Sequence, residues 1–164
     1  MITLDIMKPS HWEAVKEIYE EGIATGNATF QQSAPTWEEW NSSHLQHSRI
    51  VAKEDNSVLG WAALTPVSGR CVYAGVAEVS VYVSDKARGK GLGKQLLQKL
   101  IEESEANGIW TLQAGIFPEN TPSIKIHEAC GFRIFGTRER IGKMNDVWRD
   151  NLVLERRSKT VGIN

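Results

Sequence analysis

Cysteine is scarce in this chain of 164 residues. Cys71 and Cys130 lie far apart and show no metal-ligand spacing. They read as buried free thiols suited to a reducing cytoplasm. No apolar run is long enough to cross a bilayer, and the opening "MITLDIMKPS" lacks the layout of a secretory leader. A surplus of one charge is missing too. With 19 Lys and Arg against 20 Asp and Glu, the net charge of −1 excludes the basic excess of a dedicated nucleic-acid binder. There is no internal repeat, linker or low-complexity tract. What is present is an ordinary globular composition, 41% hydrophobic and 24% charged, long enough to bury one core without staples. The expectation is one domain over residues 1–164, cytoplasmic, with residues 155–164 as a flexible tail.

The periodicities alternate between strand and helix. "ITLDIM" alternates as a first strand, and Ser10 with Glu13 has the spacing of a capping box for a helix ending near Gly22. A loop containing Phe30 follows, and Thr36 with Glu39 opens a second helix over "WEEWNSSHLQ". "RIVAKEDNSVLGWAALTPV" reads as two strands joined at Asp55-Asn56-Ser57. "AEVSVYVS" is the strongest strand, β-branched and aromatic. Leu92, Leu96, Leu97, Leu100 and Ile101 recur at helical spacing until Asn107-Gly108. "IWTLQAGIF" is a strand, Pro122 starts a helix ended by Gly131, and "FRIFGT" and "DVWRDNLVL" are closing antiparallel strands. The order β-α-α-β-β-β-α-β-α-β-β describes one α/β domain.

Three glycines, Gly89, Gly91 and Gly93, stand where the strongest strand gives way to the third helix. Glycine weakens a helix, but at its N-terminus it permits positive φ and lets a ligand approach unpaired N–H groups. Arg88, Lys90 and Lys94 add attraction for an anion, so the stretch reads as a diphosphate cradle. It is not a Walker A loop: Arg88 stands at the first glycine position and Gln95 where Ser or Thr belongs. A dinucleotide fingerprint fails because Lys94 occupies the third glycine position.

Arg88-x-x-Gly91-x-Gly93 after "VSVYVSDKA" resembles the acyl-CoA loop of the GNAT superfamily of N-acetyltransferases. "NTPSIKIHEACGF", from Asn120 to Phe132, is similar to that family's Asn-x-x-Ser…Gly-Phe segment. With Thr29-Phe30 and "AEVSVYVS", the chain resembles the phosphinothricin/methionine sulfoximine acetyltransferase branch over nearly its whole length. The resemblance implies an acyl-CoA N-acyltransferase fold, a mixed splayed sheet of about seven strands with about four helices. It implies acetyl-CoA as cosubstrate and no metal. The backbone of Val81 and Val83 would pair with the pantetheine amides. Arg88, Gly89, Gly91, Leu92, Gly93 and Lys94 would surround the pyrophosphate. Asn120 would bond the pantetheine end, with Ser123 nearby. Homodimerisation is implied too, with a tryptophan-rich surface available for it.

Acetyl transfer to an amine needs a base for the ammonium, a donor for the oxyanion and an acid for the thiolate. Glu78 is the candidate base, on one strand face with Ser80 and Tyr82; otherwise it is a solvated strand-end carboxylate. His127, where many members carry tyrosine, is an acid, a relay, a substrate contact or a helical histidine without a chemical role. The Val81 N–H is the candidate oxyanion donor. Phe30 and Tyr73 are candidate walls of the acceptor pocket, with Trp148 a further contributor, unless each is plain core. His11, His44 and His47 read as surface residues. The branch carries an arginine before the glutamate, whereas "VYAGVAE" has Ala74 in that region. Arg70, Arg138, Arg140 or Arg149 then substitutes, or the acceptor differs. The partner expected is a small-molecule amine: an amino-acid analogue, or else a polyamine, aminoglycoside or peptide. A non-catalytic acyl-CoA sensor is the reading from another class.

Overall fold

The computed structural model describes residues Met1–Asn164. Its strands are β1 (Ile2–Ile6), β2 (Ile50–Glu54), β3 (Ser57–Pro66), β4 (Val76–Val83), β5 (Thr111–Ile116), β6 (Arg133–Met144) and β7 (Val147–Arg157). The helices are α1 (Trp12–Ala24), α2 (Trp37–Ser43), α3 (Leu92–Ala106) and α4 (Thr121–Ala129). One mixed sheet runs β1-β2-β3-β4-β5-β7-β6. Every neighbouring pair is antiparallel except β4 and β5.

Period-two alternation sorts the buried residues onto two faces. Ile50, Ala52, Ala62 and Leu64 face α3 and join Leu92, Leu96, Leu97 and Leu100 in the larger cluster. Val51, Trp61 and Ala63 face the other way and pack with Trp12, Val15 and Ile18 of α1 and Trp40 of α2. β3 is therefore apolar without alternation because both of its faces are covered. Three of the tryptophans, Trp12, Trp40 and Trp61, are core residues, so the expected tryptophan-rich surface does not form. Trp148 alone among the six is well exposed.

One of the two capping-box signals forms as read. Thr36 Oγ1 accepts from the Glu39 N–H at 3.2 Å, and Glu39 Oε1 accepts from the Thr36 N–H at 3.0 Å, closing the capping box of α2. The Ser10–Glu13 box does not form. Pro9 instead favours a 3-10 turn over Pro9–His11, in which the Lys8 N–H donates to His11 Nδ1 at 3.0 Å, and α1 begins at Trp12. α1 ends near Gly22 as expected, at Ala24, but Gly22 itself lies within it. A Cβ there would lie 2.6 Å from the Tyr82 ring, so Gly22 is a packing residue inside the helix. The last strand takes in the first residues of the expected tail. β7 runs to Arg157, paired with Thr111, and Ser158 Oγ donates to Glu105 at 2.6 Å. Cys71 is exposed and Cys130 half-buried, so neither is the core thiol expected.

Candidate active site

β3 pairs with β4 without a break from Pro66 opposite Ala77 to Gly60 opposite Val83. β5 pairs with β4 only through Val76–Thr111, Ala77–Leu112 and Glu78–Gln113. On its other edge β5 pairs with β7 throughout, from Thr111–Arg157 to Ile116–Leu152. The sheet therefore forks after Glu78, and residues Val79–Val83 keep an edge with no strand beside it. The resulting cleft measures about 1040 Å³.

Glu78 occupies the apex of that fork. Its Oε1 accepts from Gln113 Nε2 at 3.2 Å, which fixes one carboxylate oxygen and leaves the other to the cleft. Gln113 was not singled out from the sequence; its signal was only the register that sets it opposite Glu78. Ser80, Val81 and Tyr82 continue the wall, and Tyr82 stacks on Trp61 at 4.9 Å and on Tyr19 at 5.0 Å. Val83 lies beyond the cleft lining, packed against the larger core cluster.

At the far end of β4, Gly89 and Gly91 adopt φ of +79° and +74°, and a Cβ at either would meet nothing within 4 Å. Their glycine requirement is conformational. Gly91 is the N-cap of α3; no side chain caps that helix and no acidic residue stands in its first turn. Unpaired N–H groups, a positive dipole end and Lys94 fit a bound diphosphate. Gly93 serves a packing purpose as well: a Cβ would sit 3.0 Å from Ile126 Cδ1, so it lets α3 approach α4. Leu92 is buried and offers only its backbone. Arg88 is exposed and pairs with Asp85 at 2.7 Å.

α4 closes the cleft from the β5 side. Asn120, its N-cap, accepts from the Ser123 N–H and donates through Nδ2 to the Asn27 carbonyl at 3.1 Å. His127 is buried, and its Nδ1 lies 2.7 Å from the Ser123 carbonyl oxygen. A carbonyl only accepts, so Nδ1 carries the proton and Nε2 is bare. Burial also holds its pKa below the usual histidine value. Phe30 lines the cleft, 4.8 Å from Phe117 in an edge contact.

Two expected contributors lie elsewhere. Tyr73, on a 3-10 turn before β4, is exposed, stacked by Arg70 and absent from the cleft. Trp148 borders a separate shallow hollow with Glu139 and Arg140. Of the four candidate arginines, Arg138 alone lines the cleft. His44, read as a surface residue, lines it too, stacked on Trp40 at 4.0 Å. No cluster of metal-ligating side chains exists.

The acetyltransferase (GNAT) family signature matches residues 12–132. The phosphinothricin N-acetyltransferase of Streptomyces viridochromogenes is 33% identical over 84% of this chain and 77% of its own. The L-methionine sulfoximine/L-methionine sulfone acetyltransferase of Pseudomonas aeruginosa is 43% identical over 62% of this chain and 59% of its own. A crystal structure of a GNAT superfamily phosphinothricin acetyltransferase from Sinorhizobium meliloti in complex with AcCoA superposes with a TM-score of 0.89. It is 27% identical and covers 99% of this chain and 91% of that one. Forked sheet, uncapped glycine turn and sequence agree: the chain belongs to the GNAT family of acetyltransferases.

Proposed function

We propose that this protein transfers the acetyl group of acetyl-CoA to the α-amino group of a small amino-acid analogue of the phosphinothricin, methionine sulfoximine or methionine sulfone type. The observation that carries the reading is the fork, where Glu78 stands on the last rung of the β4–β5 ladder beside a cleft. The acceptors named for the Streptomyces and Pseudomonas relatives support the acceptor class, and the AcCoA complex supports the donor.

Acetyl-CoA, when bound, supplies an activated thioester. The chain's own residues do the rest. The open edge of β4, Val81 and Val83 included, takes an amide-bearing arm as it would a strand. The N-terminus of α3 with Gly89, Gly91, Leu92, Gly93 and Lys94 holds the diphosphate through N–H groups. Asn120 and Ser123 border the arm's reactive end. Glu78 takes the proton of the acceptor ammonium, directly or through one water, while Gln113 holds it in place. The Val81 N–H serves the developing oxyanion. Arg138 takes the acceptor carboxylate, filling the role for which the branch uses another arginine. Glu78 and Arg138 in one cleft suit a zwitterion; a polyamine would meet Arg138 as a like charge.

The exposed Phe135, Ile141, Val147 and Trp148 on the outer hairpin β6–β7 support a homodimer through that edge.

Thiol release from acetyl-CoA across a panel of amines tests all of this. The panel holds methionine sulfone, methionine sulfoximine, phosphinothricin, a polyamine, an aminoglycoside and a peptide. Turnover is expected on the first three, with kcat about 100-fold lower in Glu78→Gln and the acceptor KM raised in Arg138→Ala. Turnover confined to the other amines would overturn the acceptor class, and Glu78→Gln at full activity would overturn the base. Light scattering on the same preparation is expected to give about twice the 18.3 kDa chain mass; a monomer would remove the dimer.

A further inference from the structure

Arg149 has no part in the chemistry assigned above, yet it is among the most heavily engaged side chains in the molecule. It leaves β7 and crosses to the segment after α1. Its Nη1 donates to the Gly26 carbonyl at 2.9 Å and its Nη2 to Asn27 Oδ1 at 2.8 Å. Nη2 also reaches Glu119 Oε2 at 3.3 Å, and the guanidinium lies 4.1 Å above the Phe117 ring. Only 12% of the side chain is exposed. Asn120 grips the same point from α4, donating to the Asn27 carbonyl. Asn27 is thus held by its side chain from β7 and by its backbone from α4.

Three residues on, Phe30 enters the cleft. It lies edge-on to Phe117, whose other partner is the Arg149 guanidinium, and it rests on Gly142 of β6, where a Cβ would fall 2.9 Å from its ring. The chain between Asn27 and Phe30 is too short to let one move far without the other. We infer that Arg149 is a positioning residue: through Asn27 and Phe117 it fixes Phe30, and Phe30 sets the width of the acceptor half of the cleft. Both terminal nitrogens are committed to this latch, so Arg149 is not the partner of an acceptor carboxylate. The diphosphate end, around Gly91, makes no contact with it. The inference rests on the acceptor entering beside Glu78, as proposed above.

The test separates acceptor from donor. With methionine sulfone as acceptor, Arg149→Ala is expected to raise the acceptor KM about tenfold, with the KM for acetyl-CoA within twofold of wild type. Arg149→Lys, which keeps one contact, restores part of the loss. Asn27→Ala, which removes only the side-chain anchor and leaves Arg149 in place, shifts the same constant by less. A second readout needs no turnover: chymotrypsin cleavage after Phe30, followed by mass spectrometry, is expected to quicken in Arg149→Ala at unchanged melting temperature. An unchanged acceptor KM with unchanged cleavage at Phe30 overturns the latch. So does a rise of both KM values together with a fall in melting temperature, which marks general loosening. If the wild type acetylates no amine of this type, the acceptor reading fails, and the cleavage arm still decides whether Arg149 holds Phe30.

Discussion

His127 can offer only one ring nitrogen to the cleft. With Nδ1–H donated to the Ser123 carbonyl, the neutral ring presents Nε2 as an acceptor, and burial favours that neutral form. That suits receiving a proton or orienting a donor; it does not suit supplying a proton to a thiolate. Sequence left acid, relay and contact open because the deciding atom, a backbone oxygen one helical turn away, carries no residue signature. A pH series decides. The acceptor ammonium alone makes log kcat/KM rise with unit slope below its pKa of about 8 to 10. If neutral His127 is needed, the slope steepens to two once the pH drops through the lowered His127 pKa, below 6.5. His127→Asn, which can keep an N–H to Ser123, is expected to retain unit slope throughout. An alkaline limb in wild type that disappears in His127→Asn would instead make the residue an acid.

The glycine turn and α3 show how far local reading reaches. The positive φ of Gly89 and Gly91 was legible, because glycines gathered between a strand and an apolar helix permit the tight turn that leaves the helix N–H groups open. Gly93 carries a further demand that the loop does not announce, the approach of Ile126 on α4, far along the chain. α1 does end near Gly22, at Ala24, but the glycine itself is required by the Tyr82 ring. Such contacts are invisible to periodicity, whereas the Thr36–Glu39 box, complete within four residues, was read correctly. The distinction predicts different failures. Gly91→Ala meets no atom but must hold a left-handed conformation, so it is expected to cost about 1–2 kcal/mol in urea denaturation and to weaken acetyl-CoA binding. Gly93→Ala keeps a normal φ and gains helix propensity, so its effect depends on Ile126 giving way and is expected to be smaller. Equal destabilisation by both would show that conformation and packing do not divide this way.

The fork itself is a property of the whole sheet. Every residue of "VAEVSVYV" reads as strand, so nothing in β4 says that β5 leaves it after Glu78; only the resemblance implied a split. The same scale governs how acid acts on the molecule. All four histidines are held below the usual value, with burial the leading cause for His11, His44, His47 and His127 alike. His44 is the most displaced, down to about 4, because it is packed against Trp40 and the nearby Arg49 opposes its charge. An unfolded chain protonates these rings near pH 6.5 while the native state resists, so the unfolded state binds more protons as the pH falls. Stability is therefore complete above pH 6.5 and declines below it, down through the native pKa of His44 near 4. For His44 alone the decline from pH 7.5 to pH 5 is about 2 kcal/mol, and His127 adds to it in the same sense. Urea denaturation at the two pH values is the measurement. His44→Phe, which keeps a ring against Trp40 but cannot titrate, is expected to remove most of the difference. Stability flat between pH 7.5 and 5 in wild type would mean that the cleft-lining histidines take up protons in the native state. Because His44 stands on the α2 side of the cleft and His127 on α4, such uptake would then register as loss of acceptor binding without unfolding.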